Sequence, residues 1–588
     1  MSSEPDSWWA MWGSLRAGEL AAFERHDATI SVIHDSYGLL ILEVGWPVPD
    51  REPMRLRVGF STLHPFCRPD VSAPDETLAR HQNPLTKGLC LLTQSPGQWN
   101  GSELVADMIA RQLRQLLDVL DARRQGNMEK AAVGEETFAD PLSVYFNALS
   151  EKYSTAYFGR DNLVPAGCAG RGEARWSKRP VQVAPGVDAV EIVLERLLPF
   201  KGAWFGAKFE LPQQVGEWKT LPVRWVKADP SGCSTPDELL ARAEEAAASS
   251  GGLLGPALEQ WSAIGRSELA LTILVIDDEA DYRTGARRPG FIFLLCRRSR
   301  KRRSVSFIRS YGIAADIFDR LPVRTALNDK VALVIGCGAI GSFVAMELAR
   351  AGFREITLVD PDILEPGNYV RWAAGRPFWG IYKAEGLAAL IRQNYPWTVT
   401  NAATVRIGAA ASDVDKLKGM TENPFTALRD LVRSADVVID TSAATECQRA
   451  MAFLCRRERT ALVIGNATPG AVGGMVAQFR ADAEACFNCA QEQWVEAGLP
   501  NPPEDKDGML VPVGCNMETF TGGSYDLQEV SLQVVRSAIG MVAPEIFDAG
   551  KWDVAALSLF EDGKRVLPSW RTGIVEPRLS CCAKAAAA

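Results

Sequence analysis

The chain has 588 residues, enough for about three or four domains of ordinary size, and its 47% hydrophobic and 23% charged content is that of folded globular protein, which excludes long disorder. With 64 basic and 72 acidic residues the net charge is −8, so no global field draws it to nucleic acid or anionic membrane. No apolar run approaches the ~20 residues of a membrane helix, and the polar, acidic start Met1-Ser-Ser-Glu-Pro-Asp reads as no signal peptide, so the expected location is the cytoplasm.

In chain order, residues from about 15 to 62 read as a helix followed by short alternating strands, Thr29-Ile-Ser-Val-Ile, Tyr37-Gly-Leu-Leu-Ile-Leu-Glu-Val and Met54-Arg-Leu-Arg-Val-Gly-Phe. A turn-rich stretch leads into an amphipathic helix from Ser102 to Ala122. Residues 123–180 are polar and Gly-rich around one helical patch, Leu142 to Leu149, and read as a connector. From about 180 to 325 the pattern is mixed α/β, with strands at Ala189-Val-Glu-Ile-Val-Leu, Ala270-Leu-Thr-Ile-Leu-Val-Ile and Phe291-Ile-Phe-Leu-Leu-Cys and a helix from Pro236 to Ser249. The basic run from Arg297 to Arg303 lies between two strand-like segments and reads as the solvated turn of a hairpin. From 330 onward strands and helices alternate, the pattern of a parallel sheet. No repeat of fixed period is present.

All four histidines (His26, His34, His64 and His81) fall early in the chain, so the C-terminal half cannot host a His triad or a His-ligated metal. The 13 cysteines are odd in number and mostly isolated, which suggests small core residues and a few working thiolates, not a disulfide framework. Chemistry in the C-terminal half falls to Cys, Asp, Lys, Arg and the backbone.

The segment Val331-Ala-Leu-Val-Ile-Gly336-Cys-Gly338-Ala-Ile-Gly341 is followed by a helix and by a second strand, Glu355-Ile-Thr-Leu-Val-Asp360. A strand, GxGxxG, a helix, a strand and then an acid form the nucleotide-binding βαβ fingerprint, in which glycines let backbone approach phosphate and the acid receives ribose hydroxyls. Alone, this points most often to a dinucleotide. Asp360-Pro-Asp362, Asn368, Arg371 and then Lys383 at the next helix start add cations beyond the ribose-binding strand. An enzyme attacking the α-phosphorus of ATP needs such cations; a hydride-transfer enzyme does not.

This pattern resembles the ThiF/MoeB-like adenylation domain shared by ubiquitin-activating enzymes and the sulfur-carrier adenylyltransferases, over roughly residues 325–545. The resemblance implies ATP and Mg2+, with Gly336, Gly338 and Gly341 at phosphate, Asp360 on ribose within the Asp360–Asp362 pair, and Asn368, Arg371 and Lys383 on the triphosphate. The family carries an Asp-Asn pair after the strand Ala435-Asp-Val-Val-Ile-Asp440, whose Asp helps hold magnesium. Here Asp440 is followed by Thr-Ser-Ala-Ala, so Asp440 ends the strand and the second acid is Ala443. Cys515, in a polar loop before the helix from Leu527 to Val542, stands where the activating enzymes place their catalytic thiol, and nearness to a helix start favours thiolate. The alternative for Cys515 is a structural cysteine. Cys337, in the glycine loop, reads as a packing residue. Cys486-Phe-Asn-Cys489 and Cys581-Cys582 would together make a tetrahedral structural zinc site, although the vicinal second pair is atypical of the family.

Near the N-terminus, Leu63-His-Pro-Phe-Cys-Arg-Pro-Asp-Val71 is followed by His81-Gln-Asn83, then by Gly88-Leu-Cys90 and Trp99. This resembles the core of ubiquitin-conjugating enzymes, with Gln82 where the family's triplet has Pro. The resemblance implies a thioester on Cys90 and an oxyanion donor in Asn83, and Cys67 reads as structural. The alternative is a lone cysteine in a β-rich domain.

The expected fold is therefore α/β multidomain. Residues 1–125 form an α+β ubiquitin-conjugating-like domain, 126–180 a connector, 181–325 a mixed α/β linker domain, and 326–588 a Rossmann-like, doubly wound adenylation domain. The expected function is a fused activating and conjugating enzyme, similar to those of bacterial antiphage operons. It would adenylate the C-terminus of a ubiquitin-like protein or of a cyclic-oligonucleotide synthase, relay it from Cys515 to Cys90, and join it to a target amine. A homodimer is expected from the same resemblance. A sulfur-carrier adenylyltransferase with an accessory N-terminal domain and a non-catalytic nucleotide-binding scaffold are the alternatives.

Overall fold

The computed structural model describes residues 11–36, 39–78, 80–92, 99–127, 140–159, 164–178, 189–199, 208–209, 217–249, 262–264, 267–281, 284–300, 302–313, 321, 323–407, 424–511, 519–548 and 550–578. The chain divides into two compact units: residues 1–210 with 216–314, and 211–215 with 315–588.

The first unit opens with helix α1 (Gly13–Arg25) and a four-stranded antiparallel meander, β1 (Thr29–Ser36), β2 (Leu39–Trp46), β3 (Met54–Phe60) and β4 (Asp70–Ser72). Alternation along β2 and β3 buries Leu40, Leu42, Val44, Leu56, Val58 and Phe60 against the apolar face of α2 (Val105–Arg124), where Val105, Met108, Ile109 and Leu113 answer them. Buried Glu19 of α1 ties this layer together. It accepts from the Val105 N–H at 2.9 Å and lies 2.8 Å from His64 Nε2, joining two helices and the 61–67 turn.

The rest of this unit is built on a nine-stranded sheet: β5 (Thr155–Gly159), β6 (Ala169–Lys178), β7 (Val190–Pro199), β8 (Lys219–Lys227), β9 (Ser262–Ile264), β10 (Ser267–Asp281), β11 (Ala286–Ser299), β12 (Arg303–Phe307) and β13 (Arg309–Ile313). Its order is β12-β11-β10-β8-β6-β7-β5-β13, with β9 beside β10. Along β10 and β11 the two faces alternate. Leu271, Ile273, Phe291 and Phe293 belong to one core; Leu274, Ile276, Ile292 and Leu294 belong to another, shared with α3 (Leu142–Ala148) and α4 (Pro236–Ser249). The segment read as a connector thus holds α3, β5 and β6 among its described residues. Glycine and arginine in Ala169–Lys178 hide its strand pattern, because pairing to β7 and β8 on both sides supplies what side-chain periodicity does not. The basic run is the β11–β12 hairpin turn, but Arg297 forms a two-pronged pair with Glu151 and Arg298 pairs with Glu268. Its solvation is therefore partial.

The second unit begins with the short helix α5 (Arg324–Leu327) and alternates β14 (Val331–Ile335), α6 (Gly341–Ala351), β15 (Glu355–Val359), α7 (Lys383–Asn394), β16 (Val399–Ala403), α8 (Pro424–Ser434), β17 (Val437–Asp440), α9 (Thr445–Glu458) and β18 (Ala461–Ala467). It ends with β19 (Gly473–Phe479), α10 (Phe487–Val495), the hairpin β20 (Met509–Leu510) and β21 (Thr519–Phe520), α11 (Ser524–Val542), β22 (Val554–Glu561) and β23 (Lys564–Gly573). The eight-stranded sheet runs β16-β15-β14-β17-β18-β19-β22-β23, parallel through β18 and antiparallel beyond. Both faces are covered, Ala332 and Val334 packing into one core and Leu333 and Ile335 into the other. The chain leaves β14 toward β15 on one side and returns to β17 on the other, so the strand order reverses at β14. A crevice at such a reversal, at the C-terminal strand ends, is where open α/β sheets bind ligands. Among the described residues no helix is long and apolar enough to cross a membrane.

Candidate functional site

Gly336, Asp360 and Asp440 all stand at the C-terminal ends of the strands around that reversal. Gly336 takes φ +84°, and a Cβ on it would stand 2.6 Å from the Ser442 nitrogen. At Gly341 a Cβ would come within 1.8 Å of the Gly336 carbonyl oxygen, so the first and third glycines let the turn close on itself. The Thr441 hydroxyl donates to the Gly336 carbonyl at 2.8 Å and pins this turn. Gly338 is different: a Cβ there would meet nothing within 4 Å, so its backbone faces open space beside the start of α6. An opening of this kind beside a helix start has the room and the N–H donors that an anion needs.

Asp360 is buried, with Oδ2 accepting from the Cys337 N–H at 2.6 Å and Oδ1 from the Asp362 N–H at 2.8 Å. Burial pushes its carboxyl up, opposed by the charge of Lys383. Each of these oxygens keeps a lone pair that could accept a further hydroxyl. The Lys383 ammonium pairs with Asp362 at 3.1 Å, while its backbone N–H donates to the Asp362 carbonyl at 2.8 Å. Asn368 closes its own turn, accepting from the Glu365 N–H at 3.2 Å. Arg371 is half-buried, which lowers its pKa, and stacks 4.5 Å over the Phe520 ring. It donates to the Phe520 carbonyl and, at 3.1 Å, to the Thr519 hydroxyl. Cys515 lies outside the described residues, but the strands flanking it are paired, Met509 with Phe520 and Leu510 with Thr519. Arg371 therefore binds the arm of the hairpin whose connection carries Cys515.

Asp440 is fully buried; its Oδ1 accepts from the Ser442 N–H and hydroxyl at 2.9 and 2.6 Å. Its Oδ2 has no hydrogen-bond partner of ordinary geometry among the described residues, with the Cys447 thiol as its neighbour. Burial pushes the Asp440 carboxyl up and, with the charge of Asp440, the Cys447 thiol up to about 12. Ala443, in place of the second acid, adopts φ +55°. The cradle and the buried acids fit a nucleotide. For magnesium these residues offer one carboxylate, Asp440.

Four supporting residues carry no motif signal and emerge only in three dimensions: Thr441, Ser442, Thr519 and Trp372, whose indole N–H donates to the Cys337 carbonyl at 2.7 Å. Cys337 itself is buried packing, its thiol pushed well up by desolvation. Cys486 and Cys489 are buried with sulfurs 3.8 Å apart. That equals the edge of a tetrahedral site with ~2.3 Å zinc–sulfur bonds, about 3.8 Å. Cys581 and Cys582 lie outside the described residues, and among those described no group of three or more His, Cys, Asp or Glu residues could hold a metal.

In the first unit Cys90 is exposed, its N–H bonded to the His81 carbonyl at 2.7 Å. Asn83 Oδ1 accepts from the N–H groups of Leu85 and Thr86 at 2.9 and 3.1 Å, so its side chain holds the turn that carries Cys90. Gln82 is buried and does what a proline could not: its amide donates to the Ala73 carbonyl at 3.0 Å and accepts from the Leu78 N–H at 2.8 Å. Cys67, read as structural, is exposed and so is not a packing residue.

Residues 311–518 match the ThiF family. The protein y4oA of Sinorhizobium fredii is 42% identical to this chain over 581 residues, covering 98% of each. The chain belongs to the y4oA family. The "adenylyltransferase and sulfurtransferase MOCS3" of Bos taurus is 28% identical over 234 residues, 39% of this chain and 45% of that one. The "ATP-dependent ubiquitin transferase-like protein Cap2" of Escherichia coli is 25% identical over 190 residues, 31% of this chain and 28% of that protein. The second unit thus contains a ThiF/MoeB-like adenylation domain, an enzyme fold of the ubiquitin-activating-like kind, and the family implies ATP use.

Proposed function

We propose that the protein uses ATP to activate the C-terminal carboxylate of a ubiquitin-like protein, or of a cyclic-oligonucleotide synthase, and joins it to a target amine in bacterial antiviral defence. The observation that carries the reading is the open Gly338 cradle with buried Asp360 beside it, on a ThiF-type sheet. Phosphates would lie on the Gly336–Gly341 turn, ribose on Asp360, and the triphosphate against Asn368, Arg371 and Lys383, with Mg2+ on Asp440. The substrate carboxylate attacks the α-phosphorus and pyrophosphate leaves. Fixed cations compensate the charge that develops. Arg371, held on the arm of the β20–β21 hairpin, supports Cys515 as the thiol that then takes the acyl group. Cys90 receives it by thioester exchange, and Asn83 steadies the turn on which the final aminolysis occurs. The resemblance to Cap2 supports the transferase step, and that to MOCS3 supports adenylation. A homodimer through the second unit completes the proposal.

Intact-protein mass measurement with ATP and a candidate cargo orders the two thiols. Cys515→Ala should form acyl-adenylate and leave both thiols unloaded, whereas Cys90→Ala should trap cargo on Cys515 in a thiol-reducible bond. Cys515→Ala protein that charges Cys90 at the normal rate would overturn the relay. Activity independent of Cys90 would favour a sulfur-carrier adenylyltransferase, and absence of ATP–pyrophosphate exchange a scaffold.

A further inference from the structure

The middle of the chain takes no part in the proposed function, yet it holds a cavity of about 1000 Å³. The sheet creates it. β10 runs on to Asp281 against β11, but its other neighbour, β8, ends at Lys227, opposite Val275. There the Ala228 N–H donates to the Val275 carbonyl at 3.2 Å and the chain turns off toward α4. Among the described residues no strand covers β10 beyond that point, and the cavity lies along the uncovered edge. Arg287 has blunted this edge by donating to the Asp277 carbonyl at 2.7 Å and to its carboxylate at 3.2 Å. Val275 and Asp277, two residues apart, present their carbonyls to the same side, so Arg287 fills the bond that an added strand would need. The neighbouring acids are spent as well. Asp278, buried, accepts from the Leu142 N–H at 2.6 Å and the Ser143 hydroxyl at 2.5 Å. Glu279 accepts from the Asp140 N–H at 2.9 Å and pairs at 3.4 Å with Arg80, which precedes the Cys90 turn. Asp229, after β8, accepts from the Ser231 hydroxyl and N–H at 2.6 and 3.0 Å, bonds that hold its carboxyl below the usual range.

What is left over on the cavity wall is cationic. Arg288, half-buried, faces Asp278 across the β10–β11 register, but the Asp278 oxygens already accept from α3, so Arg288 lends charge without a bond. Lys227 is exposed at the end of β8. Neither side chain forms a hydrogen bond or ion pair with any described residue, and both line the cavity. Val164, Val275 and Pro289 supply apolar wall, as does Leu142, which also shares a core with Leu85 of the Cys90 turn. Apolar walls with a few placed charges, at this volume, suit a small organic ligand. We propose that the cavity binds a small amphipathic monoanion, such as a carboxylate, with its charged group on Arg288 and Lys227 and its apolar body on Val164, Val275 and Pro289. Ionised Asp229 on the same wall disfavours a polyanion, and a peptide adding as a strand would have to displace Arg287 from Asp277. The site uses no residue of the adenylation domain and does not rest on the proposed function.

The test titrates the full chain with two dyes. Anilinonaphthalenesulfonate joins an apolar ring system to one anionic group, and phenylnaphthylamine has the same rings without the sulfonate. Arg288→Gln should weaken the sulfonate dye about tenfold, and Lys227→Gln by less because that ammonium is exposed, while the neutral dye holds within about twofold. Arg288→Lys should recover most of the loss. Neither side chain bonds within the fold, so these variants should keep the wild-type Tm. Decanoate should displace the sulfonate dye and tripolyphosphate should not. Hydrogen exchange should slow on dye binding at 227–231, 275–277 and 287–289, the segments that line the cavity. Absence of saturable sulfonate binding, unchanged affinity in the double variant Lys227→Gln/Arg288→Gln, or slowed exchange confined to other segments would overturn the site. Equal loss of both dyes, or displacement by tripolyphosphate but not by decanoate, would overturn the ligand class. Failure of ATP–pyrophosphate exchange would refute the adenylation reading and leave this result standing.

Discussion

Arg371 and Lys383 are each committed in the structure, one to the β20–β21 arm and the other to Asp362. Under the proposed function, triphosphate would compete for both, so their contribution would be greatest where phosphate charge is greatest, in the transition state. Arg371→Ala or Lys383→Ala should therefore abolish ATP–pyrophosphate exchange and weaken nucleotide binding much less; full exchange in both would sink the assignment. Asp440 makes a different case, because a fully buried carboxyl with no charged partner, and only the Cys447 thiol beside its Oδ2, is a cost in the folded chain. Its folded pKa stands above the ordinary 3.8, so between the two values the native state binds more protons than the unfolded chain. Stability falls as pH rises through that window and stays lowered at neutral pH. Asp440→Asn should raise the Tm at neutral pH, by about 2–4 °C for each kcal/mol relieved, flatten its pH dependence and impair adenylation. Calorimetry across pH with no such gain would show that Asp440 is compensated after all.

At the level of elements, α3 is a two-turn helix that helical propensity alone cannot sustain. It persists because Asp278 takes its first donors and Phe146 enters the core beneath β10 and β11. Asp278→Ala strands both donors and should cost about 1–3 kcal/mol, read as a lower urea midpoint with an unchanged m-value. A midpoint equal to wild type would mean that packing of Phe146 alone seats the helix. The helix was legible as an apolar patch and β10 as an alternating run, but their joint use of Asp278 and Glu279 was not. Adjacent strand residues point to opposite faces, and nothing local says that both acids will serve one neighbour. The bulge between Glu279 and Asp281 is where that alternation breaks.

For the whole molecule, the proposed homodimer predicts that light scattering should report twice the 64.1 kDa chain mass at micromolar concentration. A strictly monomeric species would contradict it. Length, charge and alternation were enough to anticipate an α/β chain of several parts, and the glycine spacing with Asp360 marked the β14 turn and the end of β15 that the sheet brings together, because those signals are local and periodic. The placement of Cys90's surroundings, the capture of Arg371 by Phe520 and Thr519, and the membership of Ala169–Lys178 in a central strand were decided by tertiary structure. Each depends on hydrogen bonds between residues well separated along the chain. Such partners are chosen by sheet order and burial, and neither is written in the residues that end up touching.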